Sequence, residues 1–208
     1  ALFGRALVSS GFGVGGGVLA PRDSDGTALC QAAEELAVRC SVTTIELRGG
    51  SAPTHWNAIA GKHANFAASL AEDDEAQLLA IPRKARAEVR KGLKNDLAVE
   101  IGTGPDDRAA HYAVYAESVR NLGTPVFPRS LFDAVLDLFG DEADILTVRH
   151  GDRPVASVLS LYHRGTVMPF WGGGTWGARG LRANERMYYE LMCHARRRGC
   201  TRFDFGRS

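Results

Sequence analysis

Short β-rich apolar runs alternate along this chain with longer stretches of helical periodicity. Ala6-Leu7-Val8-Ser9-Ser10 reads as a strand closed by glycines. Ser24-Asp25-Gly26-Thr27 starts a helix to about Arg39, with Leu29, Ala32, Ala33, Leu36 and Ala37 on one face. Val42 to Leu47 alternates and is β-rich, which predicts a strand, and Gly49-Gly50-Ser51-Ala52-Pro53 predicts a loop. His63 to Leu70 is expected as a last strand of this first unit.

Glu72 to Asp96 is a charged helical segment whose acidic start suits the positive end of a helix dipole, and Pro82 should break it. From residue 97 the pattern predicts a strand (97–101) and two helices (106–120 and about 127–139). Three strands in close order follow (145–149, 155–162, 166–171), then a helix (183–198) and a strand (202–205). His150-Gly151-Asp152 and His163-Arg164-Gly165 are the hairpin turns between the three strands. The order β-α-α-β-β-β-α-β describes an α/β domain with a mixed sheet.

Part of this pattern occurs twice. A strand leads into Gly15-Gly16-Gly17, then a polar loop, a helix, Cys40 and a strand through Ile45; Thr166–Trp171 leads into Gly172-Gly173-Gly174, a helix, Cys200 and Phe203-Asp204-Phe205. The spacing between copies holds, since Gly17 and Gly174 lie 157 positions apart and Ile45 and Phe203 lie 158 apart. An internal repeat of this kind sets architecture.

Composition narrows the function less than the pattern does. The 208 residues suffice for one large or two small domains, and the formal net charge of +1 selects no partner. No apolar run approaches the ~18 residues of a membrane span, and no secretory leader pattern is present. Cys30, Cys40, Cys193 and Cys200 show no C-x-x-C spacing and read as buried thiols, which points to a reducing cytoplasm. The six histidines lack ligand spacing, so no metal is expected. The chain lacks an initiator Met and stops just after a strand, so both ends are expected to be cut.

Gly11-Phe12-Gly13-Val14-Gly15-Gly16 matches G-x-G-x-x-G, but Val18–Asp23 intervenes before the helix, which argues against a dinucleotide site. Gly172–Gly174 reads either as a bend in a strand or as a bare wall that a substrate can approach; with Trp171 before it and a helix start after it, a site wall is expected. Arg83, Arg86, Arg90 and Lys94 share one helix face. A solvated face is the plainer reading, and a phosphate or RNA track the functional one. Arg120, in Arg120-x-x-Gly123-Thr124-Pro125, is divided between a salt bridge and a carboxylate or phosphate contact.

The most specific residues are Trp171-Gly172-Gly173-Gly174, Leu181-Arg182-Ala183-Asn184 with Tyr188-Tyr189-Glu190, and Phe203-Asp204-Phe205-Gly206-Arg207-Ser208; Ile81–Arg86 and Arg120–Pro125 add to them. Together they resemble the FemAB family of tandem GNAT-fold acyl and aminoacyl transferases. Within it they resemble the FemAB-related proteins of exosortase/PEP-CTERM and exopolysaccharide systems. The resemblance implies an α/β tandem GNAT-like (acyl-CoA N-acyltransferase) fold with mixed, mostly antiparallel sheets flanked by helices and truncated at both ends. Its implied parts are the end of a first domain (1–71), a charged linker helix (72–96) and a second domain (97–208) lacking its final strands.

The resemblance implies transfer of an acyl or aminoacyl group to an amine on a cell-envelope or exopolysaccharide-related acceptor. The donor stays open between an aminoacyl-tRNA and acyl-coenzyme A. Gly177-Ala178-Arg179-Gly180-Leu181-Arg182 departs from the [Q/R]-x-x-G-x-[G/A] of coenzyme A users, and the chain ends before the family's Phe-Lys pair. Asp204, as an orienting or charge-balancing group, and Arg207, as a substrate contact, are the expected catalytic pair. Arg120, Thr124, Trp171, Gly172, Gly173, Gly174, Asn184, Tyr188 and Ser208 are the expected substrate contacts, and Arg83, Arg86 and Arg90 the phosphate or RNA contacts. Glu190 is a further candidate base. The alternative is a non-catalytic GNAT-like module that binds a polysaccharide precursor or RNA.

Overall fold

The computed structural model describes residues 4–11, 13 and 15–207. They form two compact units, one built on residues up to Ala64 together with Arg207, the other on Asn65–Gly206.

In the smaller unit, β1 (Leu7–Val8) pairs in parallel with β2 (Ile45–Glu46), and α1 (Asp23–Arg39) is the crossover between them. Asp23 and Asp25 lie in the first turn of α1, where the helix dipole favours negative charge. Gly17 passes so close to the Gly49 carbonyl that a Cβ would sit 1.5 Å from its oxygen. Glu34 on α1 accepts hydrogen bonds from Trp56 Nε1 (2.6 Å) and from His55 Nε2 (2.8 Å). The Trp56 bond, then His55, holds its carboxyl below the usual carboxylate range.

The larger unit carries a six-stranded sheet. Its order is β3 (Asn65–Ser69), β8 (Arg202–Arg207), β7 (Thr166–Gly174), β6 (Arg153–His163), β5 (Ala143–His150) and β4 (Ala98–Gly102). β4 to β7 are antiparallel, and β7 pairs with β8 in parallel. β5 and β6 are buried on both faces, which is why they read as nearly continuous apolar runs.

On one face, α7 (Ala183–Arg197) lays Met187 and Leu191 against Leu146, Val148, Val158 and Phe203. On the other, α4 (Pro105–Asn121) and α5 (Arg129–Phe139) pack Tyr115, Val119, Phe132 and Leu136 against Ile145, Leu159 and Leu161. α2 (Asp74–Ala80) and α3 (Arg83–Lys94) lie against α7, with Val89, Tyr189 and Cys193 at the centre of the contact. α6 (Ala178–Leu181) is one turn before α7.

The expected mixed sheet and its flanking helices are present, and Pro82 separates α2 from α3 as expected. Asn65–Ser69 is a strand, but it joins the edge of the larger sheet. The Leu70 amide, which donates to Thr201 O at 2.8 Å, ties its end to the start of β8. Both units contain a parallel strand–helix–strand crossover, so the repeat in the sequence has a structural counterpart.

Two buried polar groups mark the core. Asp144 receives Tyr162 Oη at 2.8 Å, His194 Nε2 at 2.8 Å and Arg198 Nη1 at 3.2 Å. His111, fully buried on α4, meets Ser157 Oγ through Nδ1 at 3.1 Å, and Ser157 meets Thr147 at 3.0 Å. Burial pushes the His111 pKa down from 6.5 to about 4, so the ring is held neutral.

That shift has a defined pH consequence. The unfolded chain takes up the proton first as pH falls, so the stability tied to His111 is full above 6.5 and is lost between 6.5 and about 4. Its size is roughly 3 kcal/mol. Urea denaturation across this range should show a steeper acid loss in the wild type than in His111→Phe; parallel curves would refute it.

Candidate active site

β7 and β8 begin side by side and then part. Only Thr166–Arg202 and Val167–Phe203 are paired, although β7 runs on to Gly174 and β8 to Arg207. On its other side β7 stays paired with β6 as far as Gly174–Ala156. Leu159 faces Trp171 and Ser160 faces Pro169, so Phe170 has no opposite residue. A bulge of this kind releases backbone groups from the ladder and bends the strand. The parting therefore exposes an edge of β7 next to a bulge.

The glycine run ends β7 in close contact with residues of α4 on one face and of α6 and α7 on the other. A Cβ on Gly173 would lie 2.1 Å from Ser118 Oγ and 2.7 Å from Ser118 Cβ, on α4. On Gly174 it would lie 2.6 Å from Asn184 Oδ1 and 2.8 Å from Ala178 Cβ, on the α7 side. The absence of side chains thus lets α4 and the start of α7 seat directly on the strand, a reason beyond the bend and the bare wall expected from the sequence.

The expected site residues divide between two clefts. One, of ≈ 670 Å³, lies between α7, α2, α3 and the β3–β8 edge. Asn184 and Tyr188 line it, with Phe205, Met192, Ala85 and Gln77. Asn184 Oδ1 is buried and has no hydrogen-bond partner among the described residues. Burial raises the Tyr188 hydroxyl pKa. Gln77 is committed, taking the Ala71 amide at 2.8 Å and reaching Met192 Sδ at 3.4 Å.

The other cleft, of ≈ 650 Å³, follows the end of α4 and holds Arg120 and Thr124 with Glu117 and Pro125. Here the Arg120–Pro125 motif is a helix stop. The Gly123 amide donates to Arg120 O at 3.0 Å and the Thr124 amide to Val119 O at 2.9 Å, with Gly123 at φ +71°. Glu117 accepts the Trp176 amide at 2.8 Å.

The remaining expectations land elsewhere. Trp171 packs edge-on to Phe132, with ring centroids 5.4 Å apart, in the core beneath α4 and α5. Phe203 and Phe205 share a face of β8, with ring centroids 4.6 Å apart, so Asp204 points to the opposite face from the α7 cleft. Its Oδ1 accepts the Gly206 amide at 2.8 Å, where Gly206 has φ +78°. Arg207 is exposed and belongs to the smaller unit. Ser208 lies outside the described residues. Glu190 pairs with Arg186 at 2.9 Å on its own helix, which occupies the carboxylate.

On α3, Arg83 and Arg90 are exposed and Arg86 is half-buried. Val89 is buried against α7, and a Cβ on Gly92 would lie 2.8 Å from Arg182 O. Glu88 takes Lys91 at 2.7 Å and also pairs with Arg182, and these cations, the Lys91 hydrogen bond first, hold its carboxyl below the usual range. Arg83, Arg86, Arg90 and Lys94 have no carboxylate within salt-bridge distance among the described residues, so this face keeps its positive charge.

The sequence reading missed Phe205 and Ala85 as cleft residues. The alternation of Phe203-Asp204-Phe205 carried the signal for the first, and nothing local carried it for the second. Among the described residues, no group of three or more His, Cys, Asp or Glu could hold a metal ion, and no helix is long and apolar enough to cross a membrane.

A strand order in which four antiparallel strands give way to a diverging parallel pair, with a helix starting at the divergence, places the larger unit in a recognisable class. Residues 82–208 match the acetyltransferase (GNAT) domain model, and the chain belongs to that family. No curated protein sequence matches it. Among solved structures it is similar to FemX, with a TM-score of 0.64 at 14% identity over 68% of this chain and 52% of that one. It is also similar to L-PGS from Bacillus licheniformis, with a TM-score of 0.50 at 12% identity over 70% of this chain and 46% of that one. The chain thus spans about half the length of these structures, and at such identities the likeness concerns the fold.

Proposed function

We propose that the chain is a FemAB-like N-acyltransferase that moves an acyl or aminoacyl group from an activated donor to an amine of a cell-envelope or exopolysaccharide-related acceptor. The observation that carries this reading is the parting of β7 and β8 after two paired residues, beside a bulge and the first turn of α7. GNAT membership supports acyl transfer. The FemAB motifs Trp171–Gly174 and Phe203–Ser208 support the finer assignment, including its link to exosortase/PEP-CTERM systems. Four free cysteines, three of them buried, are consistent with a cytoplasmic site of action.

The chemistry is substitution at a carbonyl. The acceptor nitrogen forms a bond to the acyl carbon, an oxyanion develops, and the bond to the donor's sulfur or oxygen breaks as that atom takes the proton lost by the amine. Positioning and oxyanion stabilisation are the larger contributions the protein can make. In our reading, backbone amides freed at Phe170 supply the second. The donor lies against α7 in the cleft of Asn184 and Tyr188, and the acceptor approaches from the α4 side, where Glu117 and Arg120 stand. The basic face of Arg83, Arg86 and Arg90 carries donor phosphates, whether from a tRNA or a coenzyme. Asp204 acts by holding the end of β8, and Arg207 contacts substrate.

The test is a transfer assay on the full chain with thioester and aminoacyl donors and a primary amine, read by mass spectrometry. Arg207→Ala should raise KM with little change in kcat, whereas Asp204→Ala should lower kcat about tenfold through loss of alignment. Unchanged kinetics in both variants would remove these two assignments. Complete absence of amide product with every donor would favour the binding-module alternative.

A further inference from the structure

Glu117 and Arg120 stand three residues apart on α4, and both line the cleft at its end. Opposite charges at this spacing on one helix face ordinarily pair. Here they do not: Glu117 Oε1 instead accepts the Trp176 amide at 2.8 Å, from the segment that follows β7. That segment is itself tied down, since the Thr175 amide donates to Val155 O at 2.9 Å and the Ala178 amide to Thr175 O at 3.1 Å. Among the described residues no cation pairs with Glu117 and no carboxylate with Arg120. The cleft thus carries a fixed negative group and an uncommitted positive one on a single wall.

The rest of the lining is mostly apolar, with Ala113 and Ala116 on α4 and Pro125 and Val126 in the turn after it. Val126 remains 40% exposed. The negative group is the one nearer the strand opening. Glu117 precedes Ser118, whose Oγ lies 2.1 Å from where a Cβ on Gly173 would be, and its Trp176 partner comes two residues after β7 ends. Arg120 lies almost a turn farther along α4, at the helix stop. A ligand that bridges the two groups therefore turns its amine toward β7 and its acid group away.

We infer that this cleft takes an α-amino acid unit as the acceptor, with its ammonium on Glu117, its free carboxylate on Arg120 and an apolar side chain over Ala113, Ala116 and Val126. The inference rests on the transferase reading given above and specifies its acceptor. A simple amine leaves Arg120 unused, and a diamine brings it a second cation. A ligand with both charges a few atoms apart neutralises both groups at once, through the stronger, charge-assisted kind of hydrogen bond.

The test titrates the ¹⁵N-labelled full chain, without donor, with leucine, glycine, isopentylamine and phosphoethanolamine, following backbone amides. Leucine should shift Trp176, Gly123 and Thr124 saturably. It should bind about tenfold tighter than isopentylamine, which is leucine without its carboxylate, and about tenfold tighter than glycine. Arg120→Gln should erase the first difference. Glu117→Gln, which keeps an oxygen for the Trp176 amide, should weaken leucine and isopentylamine alike by about tenfold. Equal affinities for leucine and isopentylamine, or a difference that survives Arg120→Gln, would overturn the site. Equal affinities for leucine and glycine would overturn the apolar side chain, and tighter binding of phosphoethanolamine than of glycine the carboxylate. Leucine binding with this selectivity but no N-acyl-leucine from any donor would leave the site standing and refute the transferase reading instead.

Discussion

Asp144→Ala should lower the melting temperature by roughly 10 °C. Asp144 is 4% exposed and joins three partners: Tyr162 on β6, His194 on α7, and Arg198 at the C-cap of α7. Arg198 also lies over the Tyr162 ring, 4.0 Å from its centroid. Removing the carboxylate strands a buried hydroxyl, takes the hydrogen-bond partner from His194 Nε2 and leaves Arg198 without its counter-charge. Burial raises the Tyr162 pKa and persists in the variant, so the phenol does not ionise to adapt. Calorimetry checks this, with Tyr162→Phe as a milder companion at about 1 kcal/mol. A melt within two or three degrees of the wild type, by about the usual conversion for this size, would mean that α7 is held by its apolar face alone.

Gly173→Ala should destabilise the larger unit by ~1–3 kcal/mol and lower acyl transfer by roughly 10²-fold. Rotation of the Ser118 hydroxyl relieves the contact at 2.1 Å but not the one to its Cβ at 2.7 Å, so α4 must move. α4 carries Glu117 and Arg120 on either side of Ser118, so the acceptor-side cleft moves with it. Ser118→Gly removes the obstructing atoms and should recover part of both losses when combined with Gly173→Ala, despite the ~1 kcal/mol cost of glycine within a helix. Additive losses in the double variant would show that the glycine serves some other purpose.

The fold was legible because its core strands and helices write their burial into the sequence. Val155–Tyr162 and Ile145–Val148 are mostly apolar and buried on both faces, and Pro82, Gly123 and Gly140 punctuate the helices. The register of the repeat also survived as a parallel crossover in each unit. Asn65–Ser69 was harder to place, because an edge strand exposed along its whole length has no apolar face to say which sheet it joins.

The site was legible only in parts. Asn184 and Tyr188 came out together because they are four apart on one helix. Trp171 packs on the core side of β7, where strand alternation puts it, and Arg120-x-x-Gly123-Thr124 reads two ways in the sequence because a helix stop and a ligand contact use the same residues. Ala85 enters the cleft through tertiary packing between α3 and α7, which no local pattern encodes.

The central claim is that a donor acyl group occupies the opening between β7 and β8 and the cleft beside α7. Its most direct test is a titration of the ¹⁵N-labelled full chain with acetyl-pantetheine thioester and, separately, with an aminoacyl ester, following backbone amide shifts. The account predicts saturable shifts at Gly174, Asn184, Tyr188 and Phe205, with little change from Gly123 to Val126. Shifts confined to the turn after α4, or none at these four residues at saturating donor, would contradict it.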